Sequence, residues 1–468
     1  MVGPATRSAV MRDPWRHRVP RWIKLHALPL RPPLPGAGRL RALVVVLCAC
    51  REVKSEDPAL VLPSLDVEGV IYINVDTLRA DRLPAYGAVR DTLPATGRRE
   101  WLVVHGLRAP ASWTLPSVTS LFTSVEPARH GQVSTDLDLN AVFDLPSWPL
   151  ALAEAGWATG LYTGNNYLGN WSVFPEHFQS TTFDQGRDPT NLDRLLDQAL
   201  PWIHSLPAGQ RYLVHLQPMN LHSPLAPDPT DLLAIRSDPL PFSGYEGLYS
   251  SGLFRSAWEA AGDDAERSAI RQGALDVYDA SLLGLDRAIE RLFEELDSSG
   301  RRPLIVLSAD HGETLDDPGD GTFGHGVQWR NELSAVPLLL SGPGLEASLE
   351  PCLSSNVDVW PTLAASLGVP GLSGVDGKDL ARGCRDHSRG SDWEGKDTLN
   401  VVGVANAAAI LTWRCGLGGA TGTRLDEGLD PEERTPAAEL PEPEQLRGWL
   451  RDARAEVEAQ RPEADCDG

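Results

Sequence analysis

Two apolar runs of this chain, GVIYINVD and RPLIVLSAD, each stop on an aspartate, Asp76 and Asp310, and the second is followed at once by His311. Runs of that length rich in Val, Ile and Leu read as strands, and ligands of open parallel sheets bind beyond the carboxyl ends of the strands. A single aspartate after a strand is an ordinary turn or cap residue. Two carboxylates emerging side by side repel, however, and a divalent cation between them is the simple reason to bring them together, with the imidazole of His311 as a third donor. Oxygen plus imidazole suits Zn or Mn somewhat better than Ca, within the set Zn, Mn, Mg and Ca, and is compatible with one ion or two.

A third stretch, APASWTLPSVTSLFTS, adds a hydroxyl. Pro116 suits the first turn of a helix that Ser117, Ser120, Leu121 and Phe122 continue. Thr114 then sits at the helix N-terminus, where unpaired N–H groups and the positive end of the dipole favour negative charge. Read alone, Thr114 is a plain helix cap. Next to a divalent cation, its hydroxyl could be held as an alkoxide and attack an anionic ester.

These residues need a sheet to position them. The apolar runs GVIYINVD, GWATGLYTG, RYLVHLQP and RPLIVLSAD alternate with helix-length patterns such as SWPLALAEAG and ALDVYDASLLGLDRAIERLFEELDSSG, the second ending at a glycine. Strands apolar on both faces that alternate with helices predict an α/β fold, a mostly parallel central sheet covered by helices on both sides. The 468 residues, 42% of them hydrophobic, suffice for one large domain plus an appendage. The formal net charge of −22 argues against a nucleic-acid partner, which would require clustered Lys and Arg. No internal period of solenoid length is present.

The first 50 residues are basic and proline-rich and read as a targeting segment, not as part of the fold. Their apolar run, ALVVVL, is far below the roughly 20 residues a spanning helix needs. The ending Leu47-Cys48-Ala49-Cys50 resembles a bacterial lipobox, which implies export to the periplasm or outer membrane and membrane attachment through a lipidated Cys50. A charged linker follows over 51–67, then the main α/β domain over 68–384, a small C-terminal subdomain over 385–461 with a couple of strands and a packing helix, and a loose tail over 462–468. In an exported chain, Cys352, Cys384, Cys415 and Cys466 permit one or two disulfides, in any of three pairings.

From about residue 68 to residue 382, several stretches in order resemble the sulfatase family of the alkaline-phosphatase-like superfamily. INVDTLRADRLPAYG is similar to the first metal-binding signature, and APASWTLPSVTSLFTSVEPARHG to the nucleophile signature. SADHGE, FGHG and ELSAVPLLLSGPG resemble the second metal-binding and closing segments, and VDVWPTLAASLGVPGLSGVDGKDL the end of the main domain. The resemblance implies Asp76, Asp310 and His311 as metal ligands, with Thr114 as the nucleophile that also touches the metal. It implies His222, in NLHSP, and His325, in FGHG, as contacts to the transferred group or leaving oxygen, or His325 as a ligand of a second metal.

The departures are equally specific. Sulfatases carry a cysteine or serine converted to formylglycine within CxPxR or SxPxR, whereas here Thr114, Leu115, Pro116, Ser117 and Val118 occupy those positions. Threonine cannot give the aldehyde hydrate, and the arginine is absent. GKWHLG appears as GNNYLG, with Asn165 and Tyr167 in place of lysine and histidine; Thr77 replaces a frequent second aspartate, and Asn220 and Leu221 precede His222. The combination predicts a metal-dependent, sulfatase-like hydrolase of a small anionic ester or a glycan- or lipid-linked one, with phosphoester or phosphodiester favoured over sulfate. A phosphotransferase acting on a lipid or glycan, and a non-catalytic surface lipoprotein of the same fold, are the alternatives. The segment from Asp228 to Arg267 reads as a loop or lid near the pocket, and the oligomeric state is not encoded in any motif.

Overall fold

The structure, a computed structural model, describes residues 59–460 except 61, 134–144, 185–190, 318, 327, 395–397, 407–408, 415–419 and 425–442. The leader with Cys50, most of the linker, Cys415, Cys466 and the tail lie outside the described residues. Among the described residues, no helix is long and apolar enough to cross a membrane.

The apolar runs do form a central sheet. Its strands are β1 (Gly69–Val75), β2 (Leu102–Arg108), β3 (Ala158–Thr163), β4 (Ser180–Phe183), β5 (Tyr212–Gln217) and β6 (Leu304–Ala309), then, past the short hairpin of β7 (Thr314–Leu315) and β8 (Phe323–Gly324), β9 (Leu338–Ser341) and β10 (Ser348–Ser355). They lie in the order β10-β2-β9-β6-β1-β5-β3-β4. Every pairing is parallel except those of β9, which runs antiparallel to β2 and β6. All seven residues of β1 are buried, as are all six of β3, β5 and β6, because helices cover the sheet on both sides.

One helical layer contains α1 (Thr114–Thr123), the helix Trp148–Glu154 and the helix Asn356–Leu367, which touch one another. The other contains the helix Leu192–Ser205 and the long helix Asp264–Ser299. The long helix begins ten residues before the apolar pattern at Ala274, capped by Asp263, whose side chain accepts from the Glu266 N–H. The segment expected as a loop or lid folds into helices Pro229–Ile235 and Ser251–Ala260 packed on the long helix. The Ser251 N–H donates to Ser223 Oγ at 2.9 Å and Arg255 donates to the Phe323 carbonyl at 2.9 Å, which ties this segment to the turns that carry His222 and His325. At the other end of the domain, Leu60, Leu65 and Val67 are already buried ahead of β1.

The C-terminal part is an antiparallel sheet of four strands, more than the pair the sequence suggests: β11 (Ser388–Glu394), β12 (Thr398–Ala405), β13 (Ala409–Arg414) and β14 (Ala420–Arg424). The helix Pro443–Gln460 lays Leu446, Leu450, Ala453 and Val457 on Val402, Val404 and Leu411. A disulfide joins Cys352 of β10 to Cys384, which selects one of the pairings left open by the sequence. Trp329 docks this sheet on the main domain. Its indole N–H donates to the Ala109 carbonyl at 2.8 Å, and its ring lies against Gly390 and Gly403, which face each other across β11 and β12.

A Cβ at Gly403 would stand 2.1 Å from that ring, so the notch exists only without a side chain. Gly403→Ala is expected to lower stability by about 1–3 kcal/mol, the usual cost of forced overpacking, as read from the midpoint of chemical denaturation. In a Trp329→Ala background the same change is expected to cost much less, because the two residues act as one contact.

Candidate active site

The register of β1 and β6 pairs Val75 with Ala309, so the next residues, Asp76 and Asp310, leave the sheet side by side. β5 and β3 continue the row on the other side of β1 and bring Gln217 and, just past β3, Asn165 to the same edge. From the β6 side of the sheet, beyond β9, the loop after the carboxyl end of β2 delivers Thr114 as the first residue of α1, with Trp113 as the capping position. The structure therefore gathers Asp76, Thr114, Asp310 and His311, all four of them buried.

Thr114 Oγ1 lies 3.4 Å from Asp76 Oδ2 and 3.4 Å from His311 Nε2. His311 Nε2 is 3.6 Å from both Asp76 Oδ1 and Asp310 Oδ2. His311 Nδ1 meets the Gly312 carbonyl at 2.8 Å; a carbonyl only accepts, so Nδ1 carries the hydrogen and Nε2 presents its lone pair to the cluster. Burial, and then the charge of Asp76, hold the Asp310 carboxyl well above its ordinary range. Burial, followed by the neighbouring His325 and His222, pushes the His311 imidazolium well below its own.

Amide donors complete the site, and sequence reading assigned them no such role. Asn165 Nδ2 donates to Asp76 Oδ2 at 2.6 Å and to Thr114 Oγ1 at 3.3 Å, while its Oδ1 accepts from the Tyr167 N–H at 2.8 Å as a helix cap. That cap fixes which end of the amide faces the carboxylate. Gln217 Nε2 donates to Asp310 Oδ2 at 3.1 Å, and Gln217 Oε1 accepts from Asn74 Nδ2 at 2.7 Å and meets His215 Nε2 at 3.3 Å. Gln217 ends its strand as Asp76 and Asp310 end theirs, a signal that was available; Asn165 was visible only as a mismatch.

His222 and His325, the two histidines singled out in the sequence, lie beside this cluster. His222 and His325 have ring centroids 5.1 Å apart, and His325 is 4.5 Å from His311. His222 Nδ1 donates to the Ser223 carbonyl at 2.7 Å. His325 Nδ1 faces Oε1 of the buried Glu313 at 3.2 Å. Behind the cluster, Thr77 takes a left-handed conformation, φ 62°, that a β-branched residue adopts only when held. Tyr278 holds it, donating to the Thr77 carbonyl at 2.7 Å and accepting from the Arg79 N–H at 3.0 Å.

Asp76, Asp310 and His311 each offer one ligand atom, and these atoms lie within 4.8 Å of one another. Asp76 Oδ1 is buried with no hydrogen-bond partner, an acceptor whose desolvation a cation would offset. The arrangement fits a divalent ion.

With the site in view, its kinship is plain. Residues 69–369, well over half of the chain, match the family described as Sulfatase, and the chain belongs to that family. It is an ester hydrolase of the sulfatase type with the alkaline-phosphatase-like fold. BT4656, solved in complex with its substrate D-glucosamine-2-N,6-O-disulfate, has a TM-score of 0.66 at 16% sequence identity, with 87% of this chain and 99% of that one covered. The phosphonate monoester hydrolase SpPMH from Silicibacter pomeroyi gives 0.63 at 18% identity over 84% of this chain and 96% of that one. The C-terminal periplasmic domain of EcEptC from Escherichia coli, in complex with Zn, gives 0.50 at 14% identity over 69% and 85%. At these identities the likeness is one of fold.

Two outcomes are expected. Elemental analysis of purified protein should find stoichiometric divalent ion; chelation should lower the melting temperature of the wild type, because the vacated cluster leaves two carboxylates buried together, and Asp310→Asn should lose most of that metal-dependent difference along with the ion. Burial lowers His215 to about 3, so it is neutral in the fold. Its contribution is present above the unfolded value of about 6.5 and is lost as pH falls from there toward about 3. In metal-free protein, stability of the wild type should fall more steeply with acid than that of His215→Gln, by about 1.4 kcal/mol per pH unit for the one proton involved, in denaturation series from pH 6.5 to 4.

Proposed function

We propose that the protein hydrolyses phosphate diesters or phosphonate monoesters in preference to sulfate esters, with Thr114 as the nucleophile. The observation that carries this reading is the position of Thr114 Oγ1, 3.4 Å from both Asp76 Oδ2 and His311 Nε2 and within reach of the Asn165 amide, at the N-terminus of α1.

Asp76, Asp310 and His311, with Thr114 beside them, would hold a divalent cation, which supplies positive charge against the transferring group and favours the ionised threonine. Asp76 Oδ2 faces the Thr114 hydroxyl as an acceptor for its proton, and the helix N-terminus and the Asn165 N–H stabilise the charge left on Oγ1. As the Oγ1–P bond forms, the bond from phosphorus to the departing oxygen breaks. His222 or His325 gives that oxygen a proton. Glu313, facing His325 Nδ1, orients the ring and stabilises its protonated form. A water then attacks phosphorus, releases the product and restores the Thr114 hydroxyl.

The preference against sulfate follows from the side chain at position 114. A formylglycine hydrate has a second hydroxyl with which to expel sulfate, and threonine has none. A phosphothreonine needs no such device, since water can displace at phosphorus. The absence of arginine at Val118 and of lysine at Asn165 removes further sulfate contacts. Zinc is favoured by the donor set and by the zinc complex of the EcEptC domain that shares the fold. The Cys352–Cys384 disulfide supports export to an oxidising compartment, as the lipobox-like Cys50 does.

Side-by-side assays with nitrophenyl sulfate, nitrophenyl phosphate, bis-nitrophenyl phosphate and a nitrophenyl phosphonate test the reading. Diester or phosphonate turnover should exceed sulfate turnover, and Thr114→Ala should be slower by at least about 100-fold with its metal content retained. Equal rates for Thr114→Ala and wild type would remove the threonine from the reaction. No turnover together with no bound metal would identify a non-catalytic relative.

A further inference from the structure

Three aromatic rings run outward from the cluster in a chain of edge contacts. Trp113 immediately precedes Thr114, and its ring meets Tyr167 at 5.4 Å between centroids, inclined at 73°. Tyr167 in turn meets Trp171 at 5.4 Å and 70°. Trp171 is 50% exposed, a large indole surface left in water at the end of the chain. Trp113 and Tyr167 are half-buried.

The chain of rings is built into the site itself. The Tyr167 N–H is the group that fixes Asn165, whose amide reaches both Asp76 and Thr114. On its other side, Trp113 approaches Gly326 of the FGHG turn, next to His325. A run of aromatic faces and edges therefore leads from Trp113, the neighbour of Thr114 in the chain, out to the surface at Trp171. Asn166 and Asn170, which flank Tyr167 in the chain, are exposed.

Aromatic faces gain from flat partners that bring C–H edges or a π-system, and little from a compact methyl or an extended polar chain. We propose that Trp113, Tyr167 and Trp171 form a specificity subsite that stacks against a flat apolar ring, pyranose or aryl, on the organic side of the ester. The subsite rests on the proposed esterase reading of Thr114, since that residue sets where the ester sits. Trp171 acts as the outer platform, and Tyr167 links it to the site.

Binding to zinc-loaded protein, measured by calorimetry, tests the subsite without requiring turnover. The probes are phenylphosphonate against methylphosphonate for an aryl ring, and glucose 6-phosphate against glycerol 3-phosphate for a pyranose. At least one ring-bearing anion should bind about tenfold tighter than its ringless partner, and the pair that shows the gain names the ring. Trp171→Ala and Tyr167→Leu should each bring that ratio close to one, while Trp171→Phe should restore part of it. Trp171 lies at the surface, so its replacement spares the core.

Equal binding of ring-bearing and ringless anions by the wild type, or a ratio unchanged in Trp171→Ala, would overturn the subsite. Hydrolysis of the nitrophenyl substrates, followed in parallel, keeps the two readings apart. A ring preference that Trp171→Ala abolishes, in protein that turns nothing over, would refute the esterase and leave the subsite standing. Turnover with no ring preference would do the reverse.

Discussion

The structure turns on the repulsion between two carboxylates that its own sheet register forces together. Once β1 and β6 pair so that Val75 faces Ala309, Asp76 and Asp310 have no choice but to emerge as neighbours. Both are buried, and burial multiplies the cost of like charge. The fold answers in part with dipoles. Asn165, Gln217 and the backbone N–H groups of Thr77 and His311 all donate to these two side chains. None of these donors carries a charge, and Asp76 Oδ1 receives none of them. A site solvated by amides but short of positive charge is selective for what can supply it.

Holding such a site open requires rigidity elsewhere. Arg79, buried beneath the cluster, makes paired contacts to Asp81 and to Asp317 and donates to the Glu313 carbonyl at 3.0 Å. It thereby fixes the loop after β6, which carries His311 and Glu313. A Cβ on Gly312 would stand 2.0 Å from the Glu332 carbonyl oxygen, so the backbone there is packed as closely as a glycine allows. Buried ion pairs of this kind add little net stability, and their value lies in specifying one geometry. Here they fix the loop beside the left-handed turn at Thr77, where a one-residue slip of register would turn Asp76 to the other face of the sheet.

Much of this was legible in the sequence because the signals that carried it are strong ones. Continuous apolar runs that end in a carboxylate mark both a buried parallel strand and its functional end, and β1 and β6 follow that rule. Thr114 was legible through Pro116, which places a helix start. Asn165, Gln217 and Asn74 were not, since an uncharged amide in or near a strand carries no electrostatic alarm, and its partners lie tens to hundreds of residues away. The opening turns of the long helix were missed because their exposed, polar residues show no apolar period ahead of Ala274. Gly390 and Gly403 carried no signal in the sequence, and the indole of Trp329, which a Cβ at either position would meet, shows why they belong there.

The departures from the family pattern also form a set, which argues against decay. Loss of function relaxes positions independently, yet Asn165 occupies the place of a lysine in a fixed orientation, capped through its oxygen and aimed through its nitrogen at Asp76 and Thr114. A lysine there would put a full charge beside a hydroxyl that already faces a cation site, whereas an amide donates a hydrogen bond and leaves that charge to the bound ion. On the proposed function, threonine in place of the formylglycine precursor, valine in place of arginine and asparagine in place of lysine change in one direction, toward a site whose positive charge would come from a bound cation and whose nucleophile would be an ordinary alcohol. On that reading the rings of Trp113, Tyr167 and Trp171 would continue the same direction, because a site that no longer grips sulfate with charged side chains would recognise the remainder of the molecule by its shape.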